Sequence, residues 1–150
     1  MAAGRVMLVR LAKLTRAGET FAFETTLAGR GMRGVLRRCL DSGYRVHVVF
    51  LWLPSADVAA ARVRRRVELG GHDVPESDIR HRFERGLVNF FDIYRSLSTT
   101  WRLFDASGPM ERPMIAYGRA GSEPIIVDAT LWAVVQEQLR ETRERAEGRT

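Results

Sequence analysis

Apolar positions along the chain follow two alternating periods, one of about 3.6 residues and one of two. Over residues 2–17, Val6, Val9, Leu11 and Leu14 recur with basic residues between them, which predicts an amphipathic helix halted near Gly18. Phe21-Ala22-Phe23-Glu24 follows as a short predicted strand. Residues 30–42 carry Met32, Val35, Leu36 and Leu40 at helical spacing and close at Ser42-Gly43. The segment 45–53 (RVHVVFLWL) is the strongest strand signal. Its near-continuous apolar run predicts a strand buried on both faces, as in a parallel sheet, with His47 as a core histidine. Pro54 ends it, and Ser55 or Asp57 starts a helix that runs to about Leu69 and stops at Gly70-Gly71. Pro75 opens the next helix, with Glu76 and Asp78 in a first turn where the helix dipole favours acids. Residues 89–98 read as helical, with Phe90, Phe91, Tyr94 and Trp101 as core. Residues 101–105, 114–117 and 125–127 read as short strands. Residues 129–146 form a final C-terminal helix with Leu131, Val134, Val135 and Leu139 inward and a sign-alternating outer end.

Strands alternating with helices predict an α/β fold built on a mainly parallel sheet. Ligands in such sheets bind beyond the carboxyl ends of the strands, which directs attention to Glu24-Thr25-Thr26, to 53–57 and to 105–107. The length of 150 residues, 45% hydrophobic, fits one domain over 1–150 that buries a core without staples. Collagen, low-complexity disorder and a disulfide scaffold are excluded by the same composition. A single cysteine, Cys39, and the lack of a secretory signal point to a reducing cytoplasm. No apolar run approaches the ~20 residues that cross a bilayer, so no membrane partner is expected.

The net charge is +6, and all of the excess lies in residues 1–53, where nine basic side chains meet three acidic ones. That favours an anionic ligand without separating a nucleotide from a nucleic acid. The basic residues are arginines except for Lys13, and an arginine's planar fork suits phosphate. No interleaving of basic and aromatic residues along the chain supports nucleic acid, which is therefore not the expected partner.

Two features can do chemistry. At the end of the predicted first strand, Glu24 can bind a substrate hydroxyl and Thr25 or Thr26 can place a phosphate; either threonine can instead cap the following helix. The second is 62–85 (RVRRRVELGGHDVPESDIRHRFER), two arginine-bearing helices hinged at glycines. Arg62 and Arg66, four apart, share one helix face with Arg65 on its flank. Arg82 and Arg85 follow on the next helix, and Arg80 lies on a neighbouring face. Such a pair can close over a polyphosphate, where transferring phosphoryl oxygens need arginines; the same residues also suit a solvated face of weak ion pairs. His72 and His81 form no zinc motif with the lone cysteine, so no metal site is expected. No G-x-S-x-G elbow is present.

Taken together, FAFETTL at 21–27, GYRVHVVFLWLPS, and RVxxRVxxGGHDVPxxxIxxRFxRGLxNF at 62–90 resemble the zeta-toxin-like P-loop kinases. The resemblance runs from about residue 2 to residue 118. It implies an ATP- and Mg2+-dependent phosphotransferase with a P-loop three-layer fold, acting on a hydroxyl of a small molecule such as a sugar nucleotide, and an antitoxin-like protein partner. By this resemblance Glu24 and Thr26, with Arg30, hold the phosphate acceptor. Arg66 and Arg80 stabilise the transferring phosphoryl, and Arg62 and Arg82 grip the nucleotide. The family's glycine after the glutamate is Thr25 here, and its arginine position is Ala28. The G-x-x-x-x-G-K-[ST] loop and the family's catalytic Asp have no counterpart, since Lys13 lies in a helix without a glycine loop before it. The expectation is a partial kinase domain without its first strand and P-loop, inactive as it stands, with Phe21–Glu24 and Trp101–Asp105 left as unpaired strand edges. The alternative expectation is a non-catalytic module that binds an anionic partner or nucleic acid.

Overall fold

The computed structural model describes residues 2–148; Met1 and 149–150, the two ends of the predicted domain, lie outside the described residues. Helix α1 (Ala2–Ala17) stops where glycine predicts, Gly18 taking a φ of 69°. Helix α2 (Met32–Asp41) buries Met32, Val35, Leu36 and Cys39. Strand β1 (His47–Trp52) ends before Pro54, and Ser55 caps α3 (Ala56–Glu68) by accepting the Val58 N–H at 3.3 Å. Helix α4 (Glu76–Asn89) starts after Pro75 and widens into a π-helical turn (Phe90–Tyr94), closed by the Arg95 N–H on the Phe90 carbonyl at 3.0 Å. Strands β2 (Thr100–Asp105), β3 (Met114–Arg119) and β4 (Ile125–Ile126) follow, then α5 (Ala129–Glu147), capped by Asp128.

The sheet order is β1-β2-β3-β4. Only β1 and β2 run parallel; β2–β3 and β3–β4 are antiparallel, so the expected mainly parallel sheet is corrected to a mixed one. Connection length is the cause. A parallel pair needs a crossover of a dozen residues or more. The β1–β2 connection has room for two helices, whereas 106–113 and 120–124 have room only for a reversal.

Further expectations are overturned. Phe21–Glu24 forms no strand and does not pair with the free edge of β1; its rings pack instead, Phe21 lying 5.8 Å from Tyr44. Trp101–Asp105 is no unpaired edge, because β2 holds β1 on one side and β3 on the other. The strand over His47–Trp52 is not buried on both faces: Val48 and Trp52 face the core, while Val49 and Leu51 are 55% and 54% exposed. His47 shares that open face and is exposed, its Nδ1 lying 2.7 Å from Thr100 Oγ1, so it is no core histidine. Helices cover one face of the sheet and leave the other open. The arrangement has two layers, where the P-loop resemblance implied three.

The covered face centres on β2. Phe50 of β1 stacks on Phe90 of the π-helical turn at 4.6 Å, and Phe90 meets Trp101 edge-on at 5.9 Å. The Arg95 guanidinium lies over the Trp101 ring, 4.5 Å from its centroid, and its charge is disfavoured there by burial. Val135 and Leu139 of α5 complete the layer, and Trp52 Nε1 donates to Gln138 Oε1 at 2.6 Å. Opposite Trp101, a Cβ built on Gly118 would come within 2.9 Å of the indole, between ring and backbone with no space to yield. Gly118→Ala is therefore expected to lower stability by about 1–3 kcal/mol through overpacking. Urea denaturation followed by tryptophan fluorescence checks this; an unchanged midpoint would show that the ring is not seated on that glycine.

Candidate functional site

The segment 24–31 carries the predicted acceptor residues on an irregular loop leading into α2. Thr25 Oγ1 accepts the Leu27 N–H at 3.2 Å, and Thr26 Oγ1 accepts the Ala28 N–H at 3.5 Å. The two hydroxyls thus close local turns. They do not cap α2, whose N-cap residue is Gly31 with no side-chain hydrogen bond. Leu27 stands at φ 54°, a left-handed conformation costly for a residue with a Cβ, while its side chain is buried.

Three residues of α4 and its π-helical turn hold this strained loop. Asn89 Nδ2 donates to the Leu27 and Ala28 carbonyls at 2.8 and 3.0 Å, and the Tyr94 hydroxyl donates to the Gly29 carbonyl. Burial pushes the Tyr94 hydroxyl's pKa up, which keeps it a neutral donor. Gly86 lies directly under Thr26; a Cβ there would stand 2.6 Å from the Thr26 carbonyl oxygen. The backbone is anchored while the side chains of Glu24, Thr25, Thr26 and Arg30 remain exposed.

The α3–α4 hairpin presents the arginines, and Arg62, Arg66, Arg80 and Arg82 each have a protein partner. Arg80 donates to Glu76 Oε1 through Nε at 3.0 Å and Nη2 at 2.6 Å, and through Nη2 to Asp57 Oδ1 at 2.6 Å. Its pKa rises further above the ordinary arginine value, first through the bond to Glu76 and then through Asp57. Arg82 pairs with Asp78 at 3.6 Å. Arg66 bends back to the His72 carbonyl in the hinge at 3.2 Å. Arg62 turns to the loop after β2, donating to the Ala106 carbonyl and to that of Gly108 at 3.1 Å, where Arg112 also donates at 2.9 Å. In the same loop Asp105 accepts the Ser107 N–H at 2.8 Å and its hydroxyl at 2.9 Å.

Of the predicted residues, α4 brings together Arg80, Arg82 and, through Gly86, Asn89 and the adjoining Tyr94, the loop that bears Glu24, Thr26 and Arg30. Arg82 sits one helical turn before Gly86 on the same face. Arg62 and Arg66 are not drawn into this group, because one locks α3 to the sheet's carboxyl edge and the other locks the hinge. Asn89, Tyr94 and Gly86 were missed as positioning residues. The signal for Asn89 was a lone amide inside the apolar run GLVNFFDIY; nothing marked the other two.

The lysine-bearing phosphate loop of the P-loop resemblance has no counterpart in the sequence. Among the described residues no group of three His, Cys, Asp or Glu side chains stands together to hold a metal ion. Lys13, the lone lysine, is exposed on α1. Also among the described residues, no helix is long and apolar enough to cross a membrane.

No family model matches this chain, and no solved structure matches it. A protein of Haemophilus influenzae, described as uncharacterized, is 27% identical over 63 residues, a stretch covering 42% of this chain and 45% of that protein. The chain therefore spans less than half the length of the curated relative it matches.

Proposed function

We propose that this chain carries the acceptor side of a zeta-toxin-like phosphotransferase: it binds and orients an anionic small molecule, and these 150 residues alone transfer no phosphate. One observation carries the reading. A single helix, α4, seats the Glu24–Arg30 loop at its C-terminal end and bears Arg80 and Arg82 in its first three turns. Glu24 is free to accept a hydrogen bond from a substrate hydroxyl, and Thr26 and Arg30 face the same solvent. Arg80 meets a phosphate by exchanging its carboxylate partners for phosphate oxygens. That exchange is cheap, because the Arg80, Asp57 and Glu76 side chains are 47%, 77% and 54% exposed, and exposed ion pairs contribute little to stability.

The alternative, a non-catalytic module for an anionic partner such as an antitoxin-like protein, is favoured by the fact that Arg62, Arg66, Arg80 and Arg82 all have protein partners already. An in-frame G-x-x-x-x-G-K-[ST] in the DNA ahead of the Met1 codon favours the kinase reading, and a stop codon there favours the module.

Isothermal titration with Mg-ATP is expected to give no saturation below about 1 mM, since no lysine-bearing phosphate loop is present. Micromolar binding would overturn the proposal. Asn89→Leu strands one buried carbonyl and one part-buried carbonyl and is expected to cost about 1–3 kcal/mol. Hydrogen exchange at the Leu27 and Ala28 amides should quicken in this variant more than exchange in β2. Uniform quickening would mean that Asn89 supports the whole core and not the loop.

A further inference from the structure

The open face of the sheet has a composition that the linear sequence conceals. By strand alternation and register β1 puts His47, Val49 and Leu51 there, β2 puts Thr100, Arg102 and Phe104, β3 puts Met114, Tyr117 and Arg119, and β4 puts Ile125. Arg102 is the register partner of Tyr117, and Thr100 that of Arg119. Tyr117 is 38% exposed, and both arginines are exposed. Asp105, the one acid in the four strands, alternates to the other face and spends both oxygens on Ser107. The charge on the open face is thus of one sign, on a chain whose net charge is +6.

We propose that this face binds single-stranded nucleic acid, independently of the acceptor loop. Tyr117 and Phe104 lie on adjacent central strands, two register pairs apart across the irregularity between Leu103 and Phe104, with Arg102 paired to Tyr117 and two residues from Phe104 on its own strand. Unpaired bases stack on aromatic faces regardless of sequence, while arginines meet the phosphates between them. A duplex hides its base faces and cannot use the rings. A second copy of the chain is the poorer occupant, because face-to-face pairing sets Arg102 and Arg119 against the same cations.

The probes are fluorescent oligouridylate and oligothymidylate of about 12 nucleotides, with a duplex of the same length, read by anisotropy. Both single strands should bind more tightly than the duplex; the tighter of the two assigns RNA or DNA as the natural source. With two to three phosphates neutralised, log affinity should fall against log salt with a slope of about −1.4 to −2. Tyr117→Leu, which keeps an apolar side chain but loses the ring, and Arg102→Ala should each weaken binding about tenfold. Both positions are solvent-facing, and circular dichroism confirms that the variants fold. Arg5→Ala with Arg10→Ala, on α1, should leave affinity unchanged. Equal binding of duplex and single strand, no measurable binding, or a loss that follows the α1 variant and spares the sheet variants would overturn the proposal.

Discussion

The amino-terminal region depends on one buried amide. Asn89 is 4% exposed in an apolar neighbourhood, where an unpartnered amide would be costly. It avoids that cost by donating to two consecutive carbonyls of a loop about 60 residues earlier in the chain. Those carbonyls belong to a segment with no strand or helix of its own to satisfy them, so amide and loop complete each other. Leu27 can hold a left-handed backbone because its carbonyl, its N–H and its side chain are all fixed. The Glu24–Arg30 loop is positioned through its backbone, and the exposed side chains are left free for a ligand.

A second tether holds α1. The Tyr44 hydroxyl lies within 3.0–3.3 Å of the Leu14, Thr15 and Glu19 carbonyls, at the point where α1 ends and its last carbonyls lack helical partners. The helix needs it, because Leu11 is buried whereas Val6, Leu8 and Val9 are 67%, 41% and 53% exposed. Both tethers are side-chain hydrogen bonds to backbone carbonyls. Neither leaves a mark in hydrophobic periodicity.

That difference explains which features could be read in advance. Helices α2 to α5 announce themselves through apolar spacing and through Ser55, Pro75 and the Gly70-Gly71 hinge, all local signals. The core positions Phe90, Tyr94 and Trp101 are equally local, being large rings at helical or strand spacing. Phe21–Glu24 fails as a strand because alternation specifies a face, and a ladder requires a neighbour. The arginines illustrate the same limit at the site. Spacing correctly puts Arg62 and Arg66 on one stripe of α3, yet the carbonyls that claim them, at Ala106 and His72, are fixed by tertiary approach in one case and by the hinge in the other.

Connection length decides the layer count, and through it the surfaces. A crossover long enough for a helix covers a sheet face; a short reversal covers nothing. After β2 the chain has only short reversals until α5, and α5 returns to the side where Trp52 and Gln138 meet. All the helices therefore crowd one face. The apolar run 45–53 predicted burial on both sides because its composition is that of an inner strand. In the fold, Val49 and Leu51 keep that composition on a face that no other described residue covers. Exposed apolar area of this kind marks an interaction site more often than idle surface. The arginines and rings that β2 and β3 add beside it give the face a chemistry as well as a shape. Basic and aromatic residues are not interleaved along this sequence, but strand register interleaves them across the sheet.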